Sequence, residues 1–301
     1  MRLRFLFLPL VFLFLVQALL PACRSDSSDG DPELESTERD SVALLSQSLA
    51  IDNSLILVDA QSDRAFIVDL SKDDLAASKS VVDLPANPFR LERREGLAKE
   101  ALILSAGLRG VSPSTALSVL RISGRLRTYQ VSAPFDALKQ TEDGRYAVLY
   151  YGRGSDRLLS SLNEIAIVDL TSDVDERAAV VWRSVDTPGG PPTGLEVSPH
   201  LELDGDEKPL AILFSDSHLT LVDLDDLERG ETVIRLSSGE GDEAVRPEQV
   251  AFHPEMGAFY LRAANSDDVF VVRIEKDPSG FKTSIGQLTA GTAPSDIAVY
   301  G

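Results

Sequence analysis

The densest group of side chains able to do chemistry is Glu202-x-Asp204-Gly205-Asp206-Glu207. Alternating carboxylates around a glycine offer hard oxygen ligands on a sharply turned backbone, which is what a calcium ion takes. The regular D-x-D-x-D-G spacing is absent, so Glu202, Asp204 and Asp206 form a calcium candidate set weighed against a plain solvated loop. A second recurrence is Ser-Asp, at Ser62-Asp63, Ser155-Asp156, Ser215-Asp216 and Ser266-Asp267. Acidic loop tips gathered on one face would attract a cation or a basic partner, although the same residues are good hairpin formers. A third set, Asp69, Asp169 and Asp223, closes runs of the type Ile-Val-Asp-Leu. Such aspartates could make a carboxylate ring, or they could accept backbone N–H bonds in the following turn. The turn role is the expectation, because Arg121 and Arg273 fill the same slot in two further runs.

Other chemistries find few candidates. The three histidines, His200, His218 and His253, form no constellation, and His200 and His253 sit in equivalent slots beside Pro199 and Pro254. The patterns H-E-x-x-H, G-x-S-x-G, G-x-x-x-x-G-K and C-x-x-C are all missing. Cys23 is the only cysteine, so no intrachain disulfide forms. Two irregular insertions, Leu108–Thr115 and Gly152–Leu162, carry Arg109, Arg153 and Arg157 beside Asp156. Neighbouring repeats would bring these loops together as a basic spot on an acidic body. With Asp63, Asp216 and Asp267 they are the candidate recognition loops, since binding residues concentrate on loops over a rigid scaffold.

The elements that must position these residues repeat. Ala65–Leu70, Leu117–Ile122, Ile165–Leu170, Leu219–Leu224 and Val269–Ile274 are variants of one apolar segment, and their last residues lie 52, 48, 54 and 50 positions apart. A strand-like segment at a near-constant period marks a repeat array. Around each lie further short apolar runs bounded by turn residues, which makes four strands, A to D, per repeat. That is the make-up of a β-propeller blade. The fold class expected is therefore all-β: a propeller of four-stranded blades over residues 46–301. The first set lacks an A strand and the chain ends on a left-over one, Ser295–Tyr300. Five blades closed by that C-terminal strand are the expectation, with part of a six- or seven-bladed ring as the alternative.

The entry motif Pro294-Ser295-Asp296-Ile297-Ala298, the turns Glu142-Asp143-Gly144, Ser198-Pro199-His200 and His253-Pro254-Glu255, and the Val-Asp-Leu strand ends resemble the YVTN/WD40-like propeller repeats of bacterial secreted proteins. The resemblance covers Ile51–Gly301 and implies a fold more than a function. It leaves two expectations: a non-enzymatic binding or scaffold module, or a propeller hydrolase of the lactonase or glycosidase kind using carboxylates at the channel mouth.

The N-terminus supplies an address. Arg2 and Arg4 precede an apolar run from Phe5 to Leu20, the layout of a secretory signal. Leu20-Pro21-Ala22-Cys23 resembles the lipobox of bacterial lipoproteins, which implies cleavage after residue 22 and lipidation of Cys23. Residues 23–45 follow as a tether; seven acidic and two basic residues between Arg24 and Ser41 leave it too polar to bury a core. By the same analogy Arg24, where an Asp would favour the inner membrane, implies the outer membrane. The expected partners are therefore the membrane, through Cys23, and an envelope protein or small ligand. Removing residues 1–22 takes two of 29 basic residues, so 27 face 48 acids, a net −21. That charge repels nucleic acid. No cofactor is expected beyond the calcium candidate.

Overall fold

A computed structural model describes residues 45–75, 77–107, 115–152, 161–171, 176–236, 245–278, 280–292 and 294–299. Five four-stranded antiparallel sheets follow one another along the chain. Blade 1 is β1 (Leu45–Ile51), β2 (Ser54–Asp59), β3 (Arg64–Asp69) and β4 (Lys79–Asp83). Blade 2 is β5 (Pro88–Arg93), β6 (Glu100–Ser105), β7 (Thr115–Arg121) and β8 (Leu126–Val131). Blade 3 is β9 (Ala137–Gln140), β10 (Tyr146–Tyr150), β11 (Glu164–Asp169) and β12 (Val180–Ser184). Blade 4 is β13 (Gly194–Val197), the inserted hairpin β14 (Leu201–Leu203) and β15 (Asp206–Lys208), then β16 (Leu210–Phe214), β17 (His218–Asp223) and β18 (Thr232–Arg235). Blade 5 is β19 (Pro247–His253), β20 (Ala258–Ala263), β21 (Asp268–Asp277) and β22 (Gly280–Thr289). Each sheet is an up-and-down meander in the order A-B-C-D, the propeller-blade arrangement expected from the repeat.

The burial pattern explains why the B and C strands read as unbroken apolar runs. Both faces of these strands are covered, as in β2 and β16, where every residue is buried. Alternate residues serve opposite neighbours. In β6, Ala101 and Ile103 pack with Ile56, Val58 and Ile67 of blade 1, whereas Leu102 and Leu104 pack with Leu138, Ala147 and Leu149 of blade 3. Val148 and Ile167 of blade 3 meet Ala211, Leu213 and Val222 of blade 4. Ile212 and Leu221 of blade 4 meet Phe259, Leu261, Phe270 and Val272 of blade 5. Each Val, Leu, Ile or Phe among them contributes roughly 1.5–3 kcal/mol through its burial, so the stack is held by a series of sheet-to-sheet layers. The far face of blade 1 carries a separate cluster of Leu55, Leu57 and Val68 with Phe66 and Leu75.

Among the described residues the C-terminal segment does not supply the A strand of blade 1. The A position of blade 1 is filled by β1, which pairs with β2 across the two-residue loop Asp52-Asn53. Asp52 takes φ 51° there, and an Asx residue tolerates this left-handed turn. A local hairpin needs far less loop-closure entropy than joining the two ends of the chain. Residues 294–299 form no strand. They lie against blade 5, where Gln249 Nε2 donates to Asp296 Oδ1 at 2.6 Å and Arg262 Nη1 to the Pro294 carbonyl at 3.5 Å.

Turn packing locks blade 2 to blade 3. The A–B turns holding Gly96 (φ 65°) and Gly144 (φ 66°) approach so closely that a Cβ on Gly144 would stand 2.1 Å from the Glu95 carbonyl oxygen. Beside them Arg94 and Glu100, 4% and 5% exposed, form an ion pair at 2.6 Å. Arg94 Nε also donates to the Gly144 carbonyl at 2.9 Å, and Arg121 bonds the other Glu100 oxygen. Two buried charges are thus fully partnered, as burial requires.

Candidate functional site

The expected recognition residues scatter. Cys23, Arg109, Arg153, Asp156 and Arg157 lie outside the described residues. Asp63 sits at the B–C turn of blade 1 with φ 54°. Its Oδ1 accepts the Asn87 N–H at 2.7 Å and its carbonyl accepts the Leu84 N–H at 2.7 Å, so it braces the crossover into blade 2. Asp216 is exposed at the tip of the blade 4 turn, 3.8 Å from Arg246 Nε. Asp267 precedes strand C of blade 5, and its carbonyl accepts the Ala290 N–H. These three carboxylates belong to blades 1, 4 and 5.

The calcium candidate is rebuilt by a tertiary contact. The stretch is a β-hairpin rather than an open loop, and it places Glu202 opposite Glu207. Asp204, at φ 53°, uses Oδ2 to accept the Lys276 N–H at 3.1 Å, and Asp206 is ion-paired with the Lys276 ammonium. Lys276 belongs to the long β21 of blade 5, so the hairpin is a strut between blades. Among the described residues no three His, Cys, Asp or Glu side chains come together as a metal-ligating group.

The strand-end aspartates do what turn chemistry predicts. Asp69 Oδ1 accepts the Ser71 N–H at 3.0 Å and its hydroxyl at 2.6 Å. Asp169 repeats this with Thr171, at 2.9 and 2.7 Å. Asp223, 2% exposed, accepts the N–H groups of Asp225 and Asp226 and also the Lys208 ammonium at 2.9 Å. A carboxylate at the C–D turns of blades 1, 3 and 4 therefore caps the chain as it leaves the core.

Among the described residues two places bear on whether a small molecule could be handled. The first is the blade 4 turn, where the Ser217 hydroxyl and His218 Nδ1 are 2.7 Å apart. Burial, helped by the charge of Arg235, lowers the His218 pKa and favours the neutral ring. A nucleophile also needs free space and a base aligned by a third group. Here Gly189, φ 92°, lies so close that a Cβ on it would stand 2.5 Å from Ser217 Oγ. The hydroxyl is packed under the blade 3–4 crossover, and the pair reads as a turn lock. No sequence motif marks this pair, because Gly189, its neighbour in space, is distant in the chain.

The second is an open cavity of about 400 Å³ on blade 1. The A–B turn supplies Asp52, Asn53 and Ser54, and the C–D side supplies Asp69, Ser71, Lys72, Ser78 and Ser80. Ile67 and Ile122 complete the wall, the latter from blade 2. Bonds from the Ser71 hydroxyl and N–H, with the charge of Lys72, lower the Asp69 pKa and keep it ionised. Hydroxyls, an amide, carboxylates and one ammonium in a volume of this size suit a small polar molecule. No spacing in the sequence marks it, since its walls come from turns that meet only in the folded blade.

No known protein family matches this chain, and no curated protein matches it. Among solved structures it is similar to hydrazine synthase of Kuenenia stuttgartiensis, at 15% identity over 81% of this chain and 80% of that one, with a TM-score of 0.37. It is also similar to AztD of Citrobacter koseri, at 11% identity over 84% and 73%, TM-score 0.36. A third is the Cps50 (Swd1) β-propeller domain of Myceliophteria thermophila, at 10% identity over 73% and 66%, TM-score 0.38. The fold assignment rests on the strand order and register given above.

Proposed function

We propose that this chain is a lipid-anchored recognition module of a bacterial envelope: a signal in residues 1–22, an acidic tether in residues 23–45 lipidated at Cys23, and a propeller body that binds rather than transforms its ligand. The observation that carries the binding side is the state of the carboxylates. Among the described residues, each Asp or Glu with a shifted pKa is shifted down: Asp69, Asp143, Asp206, Glu231 and Asp296. For Asp143 and Glu231 burial pushes upward but is outweighed by hydrogen bonds and cationic neighbours. A propeller glycosidase needs a carboxyl held protonated near neutrality as general acid; acids held ionised suit turns, struts and polar recognition. The blade 1 cavity is the position assigned to a small polar ligand, and an envelope protein is the alternative partner.

The test has two arms. Cys23→Ser should move the protein from the membrane to the soluble fraction and abolish labelling by a lipid precursor; unchanged labelling refutes the anchor. Purified protein incubated with lactone and aryl-glycoside panels should release no product. Turnover that survives repurification, and is lost on changing one carboxylate, would replace binding by hydrolysis.

A further inference from the structure

The outer edge of blade 5 differs from the outer edges of the other blades. The D strands β4, β8, β12 and β18 are 4 to 6 residues long and carry one or two charged side chains within that short length. β22 has 10 residues, Gly-Phe-Lys-Thr-Ser-Ile-Gly-Gln-Leu-Thr, with Lys282 as its only charge. Ile285 and Leu288 on it are 40% and 52% exposed. Proteins usually blunt an edge strand by shortness, charge, proline or a bulge, because unpaired N–H and C=O groups template another strand. β22 pairs with β21 in unbroken register from Asp268↔Thr289 to Asp277↔Gly280, so it carries no bulge.

Two backbone bonds fix which groups face outward. The Ala290 N–H bonds Asp267 in the neighbouring strand, whereas the Phe281 N–H points away and donates to Thr232 Oγ1 of blade 4 at 3.2 Å. Alternation along an antiparallel strand then turns the N–H and C=O of Thr283, Ile285, Gln287 and Thr289 away from β21. Among the described residues none of these four outward N–H groups has a partner.

We propose that β22 is a dimerisation edge, and that its occupant is the β22 strand of a second copy of this chain in antiparallel register about Gly286. That register sets Thr283 opposite Thr289 and Ile285 opposite Gln287 of the second copy, with Gly286 facing its own counterpart on the two-fold axis. It uses all four outward residues, makes roughly eight inter-chain bonds at two per bonded pair, and brings no like charges together, since Lys282 faces Ala290. A Cβ built on Gly286 meets nothing within 4 Å, so the axis position is open. An isologous contact of this kind closes at two subunits. The strongly acidic remainder does not oppose it at physiological salt, where screening acts over about 8 Å. The result joins two blade 5 sheets into one continuous sheet.

The experiment uses the mature chain carrying Cys23→Ser, so that an introduced cysteine is the sole thiol. Light scattering during size exclusion should give twice the chain mass across a dilution series. Gln287→Pro removes an outward donor while leaving the β21 ladder intact, a position where edge proline is tolerated; it should halve the mass with an unchanged circular dichroism spectrum. Gly286→Cys should form a disulfide-linked dimer under mild oxidation, because a non-bonded antiparallel pair sits within disulfide reach, about 4.5 Å between Cα atoms. Ser284→Cys, which faces Leu288, should cross-link far less. A monomeric parent, an unchanged mass in Gln287→Pro, or equal cross-linking at 284 and 286 each overturns the proposal.

Discussion

Removing one methyl-rich side chain from the first strand tests which end of the chain completes blade 1. Ile51 is 0% exposed and packs among Ile56, Val58, Ala65, Ala101 and Ile103, so it belongs to the layer joining blades 1 and 2. Ile51→Ala loses transfer energy and leaves a cavity, together about 2–5 kcal/mol. For a domain of this size each kcal/mol moves the midpoint by about 2–4 °C, so the melting temperature should fall by roughly 5–15 °C. Deleting residues 291–301 removes the bonds from Gln249 and Arg262 to the tail, and among the described residues no buried apolar side chain goes with them. The midpoint should stay close to that of the parent. Thermal melts followed by circular dichroism, backed by urea titration, compare the two variants directly. If the truncation costs as much as Ile51→Ala, the tail is a structural strand and the assignment of β1 to the A position is wrong.

Three further outcomes follow from the same contacts. Gly144→Ala combines a left-handed φ, roughly 1–2 kcal/mol for an L side chain, with overpacking of about 1–3 kcal/mol against the Glu95 carbonyl; urea titration should give an unfolding free energy lowered by about 2–5 kcal/mol. Glu100→Gln strands Arg94 as a buried cation and should cost about 3–5 kcal/mol, whereas replacing Arg94 and Glu100 together by apolar residues should recover much of that loss in a double-mutant cycle. On the acid side, Glu231 and Asp143 have folded pKa values below their unfolded ones, so their contribution is full at neutral pH and is lost as pH falls through the folded values. Melting temperature should be level above about pH 5 and fall below it, and Glu231→Gln should flatten that fall.

Much of the fold was legible because blade packing imposes a simple pattern. A strand covered on both faces has to be apolar throughout, and Leu55–Asp59, Glu100–Ser105, Leu210–Phe214 and His218–Leu224 announce themselves by that alone. Their turn residues are equally local: Asp69 and Asp169 bond residues two positions on, so their structural role could be read from type and position. The A strand of blade 1 was harder to see. Leu45–Ile51 is flanked by a polar tether and half-exposed through its middle, whereas Ser295–Tyr300 matches the repeat motif better. Motif strength lost to the short loop Asp52-Asn53, a matter of chain entropy that residue type does not encode.

What the sequence determined by itself is the period, the four strands per repeat, the capping aspartates and the acidic charge, because each depends on near neighbours and on which side chains avoid water. Tertiary structure decided the rest. It made Glu202–Glu207 a hairpin tied to Lys276, seventy and more positions away. It buried Arg94 against Glu100 and Gly144, and it assembled the blade 1 cavity from separate turns and from Ile122 of the next blade. Among the described residues it also left the outer edge of β22 unpaired. These features depend on which distant segments share space, and hydrogen bonds and charges act over a few ångströms of space whatever the separation along the chain.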